Sequence, residues 1–138
     1  MEPLSAAALL FCSTAQPGPY PSAPAVVDAF LEASNRKDIA GVRQFITKDA
    51  IIALGDERIS GQEVTQRYEE IVFPRFPKAR TEIRNRLAAT DIVAQTEWVS
   101  LSGSGKGEIG LSVYRVVHGC IVSVTYNVTD ESDAQAAK

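Results

Sequence analysis

The side chains in this chain that could do acid–base or ligand chemistry are few and scattered. His118 is the only histidine, and Cys12 and Cys120 are the only cysteines. Histidine titrates nearest neutrality, so it is the first suspect for a general base. Yet His118 stands beside Gly119 at what reads as a hairpin tip, away from any enclosed site. The two cysteines lie in very different contexts, with no Cys-x-x-Cys and no metal-ligand spacing. Asp56 and Glu57 sit in a turn ahead of a helix start and offer a base or a substrate anchor, although turn carboxylates are usually solvated. Glu97 alternates with Trp98 along a strand and is expected to face the opposite side. Gly105-Lys106 suggests a phosphate loop, but the upstream glycine is misplaced, Gly107 follows, and strands flank both sides, so residues 102–107 read as a hairpin loop. Asn127-Val128-Thr129 matches a glycosylation sequon but falls inside a strand.

At 138 residues and 45% hydrophobic, the chain is long enough for one domain around one core. The net charge of -3 comes from interspersed acids and bases without a basic stripe, which argues against a nucleic-acid partner. The only long apolar run, residues 6–11, is too short for a membrane span. No cofactor or metal is called for. Residues 5–15 resemble the apolar part of a secretory signal, with small residues at Ser13, Thr14 and Ala15, but no Lys or Arg precedes them and Glu2 has the wrong sign. Phe11 argues against a lipoprotein reading at Cys12. Residues 17–24 are proline-rich and cannot be helix. The expected division is therefore a leader and linker at 1–23, a domain at 24–130 and a flexible tail at 131–138. The compartment is cytoplasmic or, with an export signal, periplasmic or secreted.

Around these groups the elements follow from periodicity. Val26, Val27, Phe30 and Leu31 recur at helical spacing from about Ala25, and Asn35 is a suitable stop. Asp38 caps a second helix whose buried face is Val42, Phe45 and Ile46. Residues 49–54 read as a first strand. Ser60-Gly-Gln-Glu63 is a capping box, and Val64, Tyr68, Ile71 and Val72 give the third helix its core face until Pro74. Four strand-like runs follow, at 81–88, 92–101, 108–117 and 121–128. Helices first and strands afterwards predict an α+β fold, with the helices on one side of a curved antiparallel sheet.

The order helix–helix–strand–helix–four strands resembles the nuclear transport factor 2-like superfamily, in its SnoaL-like and ketosteroid isomerase-like branch. The resemblance is carried by residues 25–38, by Gly61 and Tyr68, by Phe76-Pro77 with residues 82–86, and by Tyr114-Arg115. It implies a cone-shaped, cystatin-like domain around an apolar pocket, and a homodimer. Ketosteroid isomerase keeps an oxyanion-hole tyrosine, an aspartic acid held neutral so that it can donate a hydrogen bond, and a separate aspartate base. Matched to this chain, the tyrosine falls on Phe30, the neutral aspartic acid on Ser112 and the base on Leu54. Leu54 cannot take a proton and Phe30 cannot donate a hydrogen bond, so the resemblance does not extend to steroid isomerisation by that mechanism.

The same matching implies a pocket wall of Phe30, Leu54, Tyr68, Thr96, Trp98, Ser112, Tyr114, Tyr126 and Val128. Such a wall suits a small hydrophobic or aromatic molecule. Three functions remain open: a ligand-binding domain; a cyclase, isomerase or hydratase using Asp56, Ser112, Tyr114 or Tyr126; and a homodimeric interaction module whose cone is filled by its own side chains.

Overall fold

A computed structural model describes residues 10–129. The start of the expected leader and the expected tail at 131–138 lie outside the described residues. Helix α1 spans Ala23–Asn35 and α2 spans Ile39–Gln44. Strand β1 (Ile46–Leu54) and a short β2 (Glu57–Ser60) lead into α3 (Gly61–Arg67). A π-helical turn, Tyr68–Val72, and a last helical turn, Phe73–Arg75, extend α3. Strands β3 (Arg80–Ala88), β4 (Ile92–Ser100), β5 (Glu108–Val117) and β6 (Cys120–Val128) complete the fold. Among the described residues, no helix is long and apolar enough to cross a membrane.

The helix boundaries have local causes. The Ser22 hydroxyl accepts from the Ala25 amide, the Asp38 carboxylate from Gly41 and the Ser60 hydroxyl from Glu63, each satisfying a donor that the first helical turn leaves open. Asn35 ends α1, but not by turning left-handed; the positive φ falls on Lys37. The Asn35 side chain instead bonds the backbone of Thr81 in both directions, at 3.0 and 2.8 Å, and ties the end of α1 to the start of β3. Pro74 does not stop the helical path at once. It follows directly on the π-helical turn, and the helical path ends one residue later at Arg75.

The six strands run in the order β2-β1-β6-β5-β4-β3. All neighbours are antiparallel except β1 and β6, which pair in parallel. β1 enters the sheet beside the last strand, β6, as well as hairpinning onto the short β2. His118 and Gly119 both have positive φ, as a two-residue β5–β6 turn demands. Helix α1 lies across the inner face of the sheet, with Val26, Val27 and Phe30 buried against Ile46, Val93, Ile121 and Val124. The opposite face leaves Ile51, Leu87 and Leu111 exposed.

Residues 10–22, expected outside the fold, are stitched onto it. Cys12 and Cys120 form a disulfide across a sequence separation of 108. The Cys12 amide also donates to the Arg43 and Ile46 carbonyls, Phe11 lies under the Arg43 guanidinium, and Tyr20 stacks on His118. Spacing alone hides the pair because disulfides join positions close in space, which need not be close in sequence. Closing so long a loop is expected to stabilise the fold by about 3–5 kcal/mol. Urea unfolding of Cys12→Ala against the oxidised chain measures this. Reductant should then weaken the native chain and leave the variant where it is; an unchanged midpoint in Cys12→Ala would mean the disulfide adds nothing.

Candidate functional site

The strand period of two decides which side chains meet beneath α1. Ile52 and Leu54 on β1, Glu97 and Val99 on β4, Ser112 and Tyr114 on β5, and Val124 and Tyr126 on β6 share the inner face. Phe30, Leu31 and Ser34 of α1 form the roof, and Val64 with Tyr68 closes one side. Together they enclose a cavity of about 340 Å³. Its wall is mostly hydrocarbon and aromatic ring. Phe30 meets Tyr114 edge-on at 6.4 Å, and Tyr68 is braced from behind by stacking on Phe73 at 5.5 Å.

One corner of this cavity is polar. Glu97 is 4% exposed. Its carboxylate accepts from the Tyr114 hydroxyl at 2.5 Å, from the Gln95 amide at 2.7 Å and from the Ser112 hydroxyl at 2.9 Å. The donors arrive along the sheet: Gln95 pairs with Ser112 across β4–β5, and Glu97 pairs with Gly110. Gly110 has a steric reason to be glycine. A Cβ there would run into the Tyr126 ring, so its absence lets Tyr126 lie over β5 next to Glu97. Gln95 continues the network outward, since its carbonyl accepts from Arg86, which pairs with Asp28 of α1 at 2.7 Å. At the rim, Tyr126 donates to Glu108 at 3.0 Å and Arg67 is held by Glu57 through two hydrogen bonds.

The tyrosines register this environment. Burial pushes the Tyr68 hydroxyl up to about 12, with a further push from the Glu97 charge. Tyr114 is raised well above its ordinary range by burial, by the Glu97 charge and by its hydrogen bond to Glu97. Tyr126 is raised by burial first and then by Glu108. Each phenol is thereby kept protonated and able to donate. Tyr114 and Tyr126 give their hydrogen bonds to carboxylates, whereas the Tyr68 hydroxyl has no hydrogen-bond acceptor among the described residues and lines the cavity.

Six of the residues expected in the pocket wall line the cavity: Phe30, Leu54, Tyr68, Ser112, Tyr114 and Tyr126. The three positions matched to the isomerase catalytic groups, Phe30, Leu54 and Ser112, are among them. Thr96 and Trp98 are not. They stand on the other face of β4, where Trp98 lies under the Arg84 guanidinium at 5.4 Å. Val128 is 45% exposed at the end of β6, beyond the wall. Asp56 remains in the exposed β1–β2 turn and does not reach the cavity. The phase expected for β4 is thus reversed. Side-chain polarity favours burying Trp98 and exposing Glu97, but pairing with β5 imposes the opposite. A signal for the true phase lies in Gln95-x-Glu97: two polar residues whose strand partners are in phase with Ser112 and Tyr114.

The chain belongs to the SnoaL-like domain family, whose sequence model matches residues 27–124. Similar folds include an uncharacterised cystatin-fold protein from Novosphingobium aromaticivorans, with a TM-score of 0.69 at 18% identity over 78% of this chain and 98% of that one. A nuclear transport factor 2-like protein of unknown function from Cytophaga hutchinsonii has a TM-score of 0.67 at 11% identity, covering 83% of this chain and 95% of its own. A SnoaL-like protein of unknown function from Burkholderia thailandensis has 0.66 at 17%, over 78% and 94%. At these identities the likeness is one of fold. No curated protein sequence matches the chain.

The raised tyrosine carries a pH dependence. A phenol whose folded pKa lies above its unfolded value adds stability that is fully present below about pH 10 and is lost as pH rises through the folded value. For Tyr68 that window closes at about 12. Absorbance titration of the native chain against Tyr68→Phe should show the missing phenolate signal near pH 12. A difference signal centred near 10 would mean that the hydroxyl stands in open water.

Proposed function

We propose that this SnoaL-like domain binds a small, largely apolar molecule in the cavity beneath α1, with a polar atom of that molecule directed at the Glu97–Tyr114–Ser112 corner. The observation that carries the reading is the cavity itself: aromatic and aliphatic walls around one convergent polar group are the usual make-up of a small-molecule site. A cone filled by its own side chains would leave no such space, and the large Trp98, expected in the wall, stands on the opposite face of β4. Naphthalenemethanol, a flat neutral probe with one hydroxyl, is expected to bind by calorimetry. Leu54→Trp, which projects an indole into the space, should weaken it at least tenfold. Equal binding to that variant would place the probe elsewhere.

Catalysis on the same scaffold is the second reading, and Glu97 favours it. A buried carboxylate beside a phenol is an acid–base pair at positions other than those of ketosteroid isomerase. Glu97 would take a proton from a carbon next to a carbonyl, Tyr68 would donate to the oxygen that gains charge, and Glu97 would return the proton. Acetonaphthone in heavy water supplies the test by proton NMR. Its methyl hydrogens should exchange faster with the native chain than with Glu97→Gln. Exchange at the buffer rate with both proteins would remove the catalytic reading for carbon acids.

A further inference from the structure

The charges around the cavity do not balance. Glu97 is a buried carboxylate with neutral hydrogen-bond partners only, and among the described residues no Lys, Arg or His forms an ion pair with it. Glu108, also in the wall, is likewise bonded to a neutral phenol. The cations nearby are committed elsewhere. Arg67 at the rim is held by Glu57 at 2.6 Å and lies 3.7 Å from Glu63. Arg86 touches Glu97 only through the Gln95 amide and is itself paired with Asp28. Arg43, on the far side of α2, pairs with Glu69.

A carboxylate removed from water without a counter-charge is costly, and three neutral donors offset that cost only in part. What the corner offers a visitor is therefore negative potential and acceptor lone pairs. The remaining wall has the matching character. The rings of Phe30, Tyr68, Tyr114 and Tyr126 all line the space, and aromatic faces attract cations once water is excluded. An anionic ligand would meet two carboxylates. A neutral ketone could accept from Tyr68, Ser34, Thr81 or Arg67, all in the lining, but would leave the two carboxylates without a counter-charge. A protonated amine supplies both the missing charge and the missing donors.

Resting on the binding reading above, we propose that the cavity selects an organic ammonium ion: a primary or secondary amine on a small aromatic or alicyclic body, its N–H groups donating to Glu97 and its hydrocarbon packed beneath Phe30. The amine then completes the Glu97 hydrogen-bond shell, which makes Glu97 the residue that sets specificity.

Three probes of one shape and different charge test this: naphthylmethylamine, naphthalenemethanol and naphthoate, by calorimetry at neutral pH and fixed ionic strength. The amine should bind at least tenfold tighter than the alcohol, and naphthoate weakest of the three. In Glu97→Gln, checked for folding by near-ultraviolet circular dichroism, the amine-to-alcohol ratio should fall to within about threefold of unity. If that variant does not fold, the charge series on the native chain decides alone. Alcohol binding as tightly as amine, or naphthoate binding best, overturns the proposal while leaving the binding reading in place. A preference for amine that survives in folded Glu97→Gln overturns the role of Glu97. If none of the three binds, the binding reading itself falls and the amine proposal with it.

Discussion

A carboxylate taken out of water has to be met by donors, and much of the interior of this protein is arranged to meet Glu97. Tyr114, Ser112 and Gln95 each give it a proton to share. Gly110 gives up a side chain so that Tyr126 can lie close by. Gln95 is itself oriented by Arg86, and Arg86 by Asp28 on α1, so the helix over the cavity and the carboxylate inside it belong to one hydrogen-bonded chain. Removing any one member leaves a buried polar group short of a partner, which typically costs about 1–3 kcal/mol. A corner so connected holds its groups in one arrangement.

The cavity exists because α1 crosses the sheet without filling it. Its apolar stripe is divided between two tasks: Val26 and Val27 pack down onto the strands, while Phe30 and Leu31, a turn later, roof the open space. The Asn35–Thr81 pair fixes the far end of the helix to β3, and Thr81 also lines the cavity. The π-helical turn at Tyr68–Val72 has a comparable consequence. An extra residue in a turn rotates the next side chains about the helix axis, and here Tyr68 lines the cavity while Phe73 supports it from behind.

The N-terminal arm adds a covalent constraint at the opposite end of α2. Cys120 is fully buried at the start of β6, and its bond to Cys12 brings Phe11 against Arg43 and Tyr20 against His118. Arg43 in turn pairs with Glu69 in the π-helical turn. Residues 10–22 thus pack on α2 and the β5–β6 turn and contribute nothing to the cavity wall. Disulfides persist in oxidising surroundings, so this linkage bears on the compartment in which the fold is at its most stable.

The sequence by itself determined the helices to within a few residues, the caps at Asp38 and Ser60, most of the strands and the family's α+β order. Each of these depends on neighbours within a few residues: Asp38 and Ser60 cap because the next turn has open amides, and Val26, Val27 and Phe30 share a face because a helix repeats every 3.6 residues. The proline-rich stretch 17–24 misled at its end, since Ser22 caps a helix that starts at Ala23 and takes Pro24 into its first turn, where a proline is tolerated. Family matching adds six residues that line the cavity. Only the tertiary structure decided the rest. Whether Glu97 or Trp98 faces inward depends on the register of β4 against β5, and alternation within β4 permits either phase. The parallel β1–β6 pair and the Cys12–Cys120 bond join residues far apart in sequence, about which local pattern is silent. The most reactive group in the cavity was legible as a glutamate, but its position inside was set by the pairing of β4 with β5, where Glu97 stands opposite Gly110.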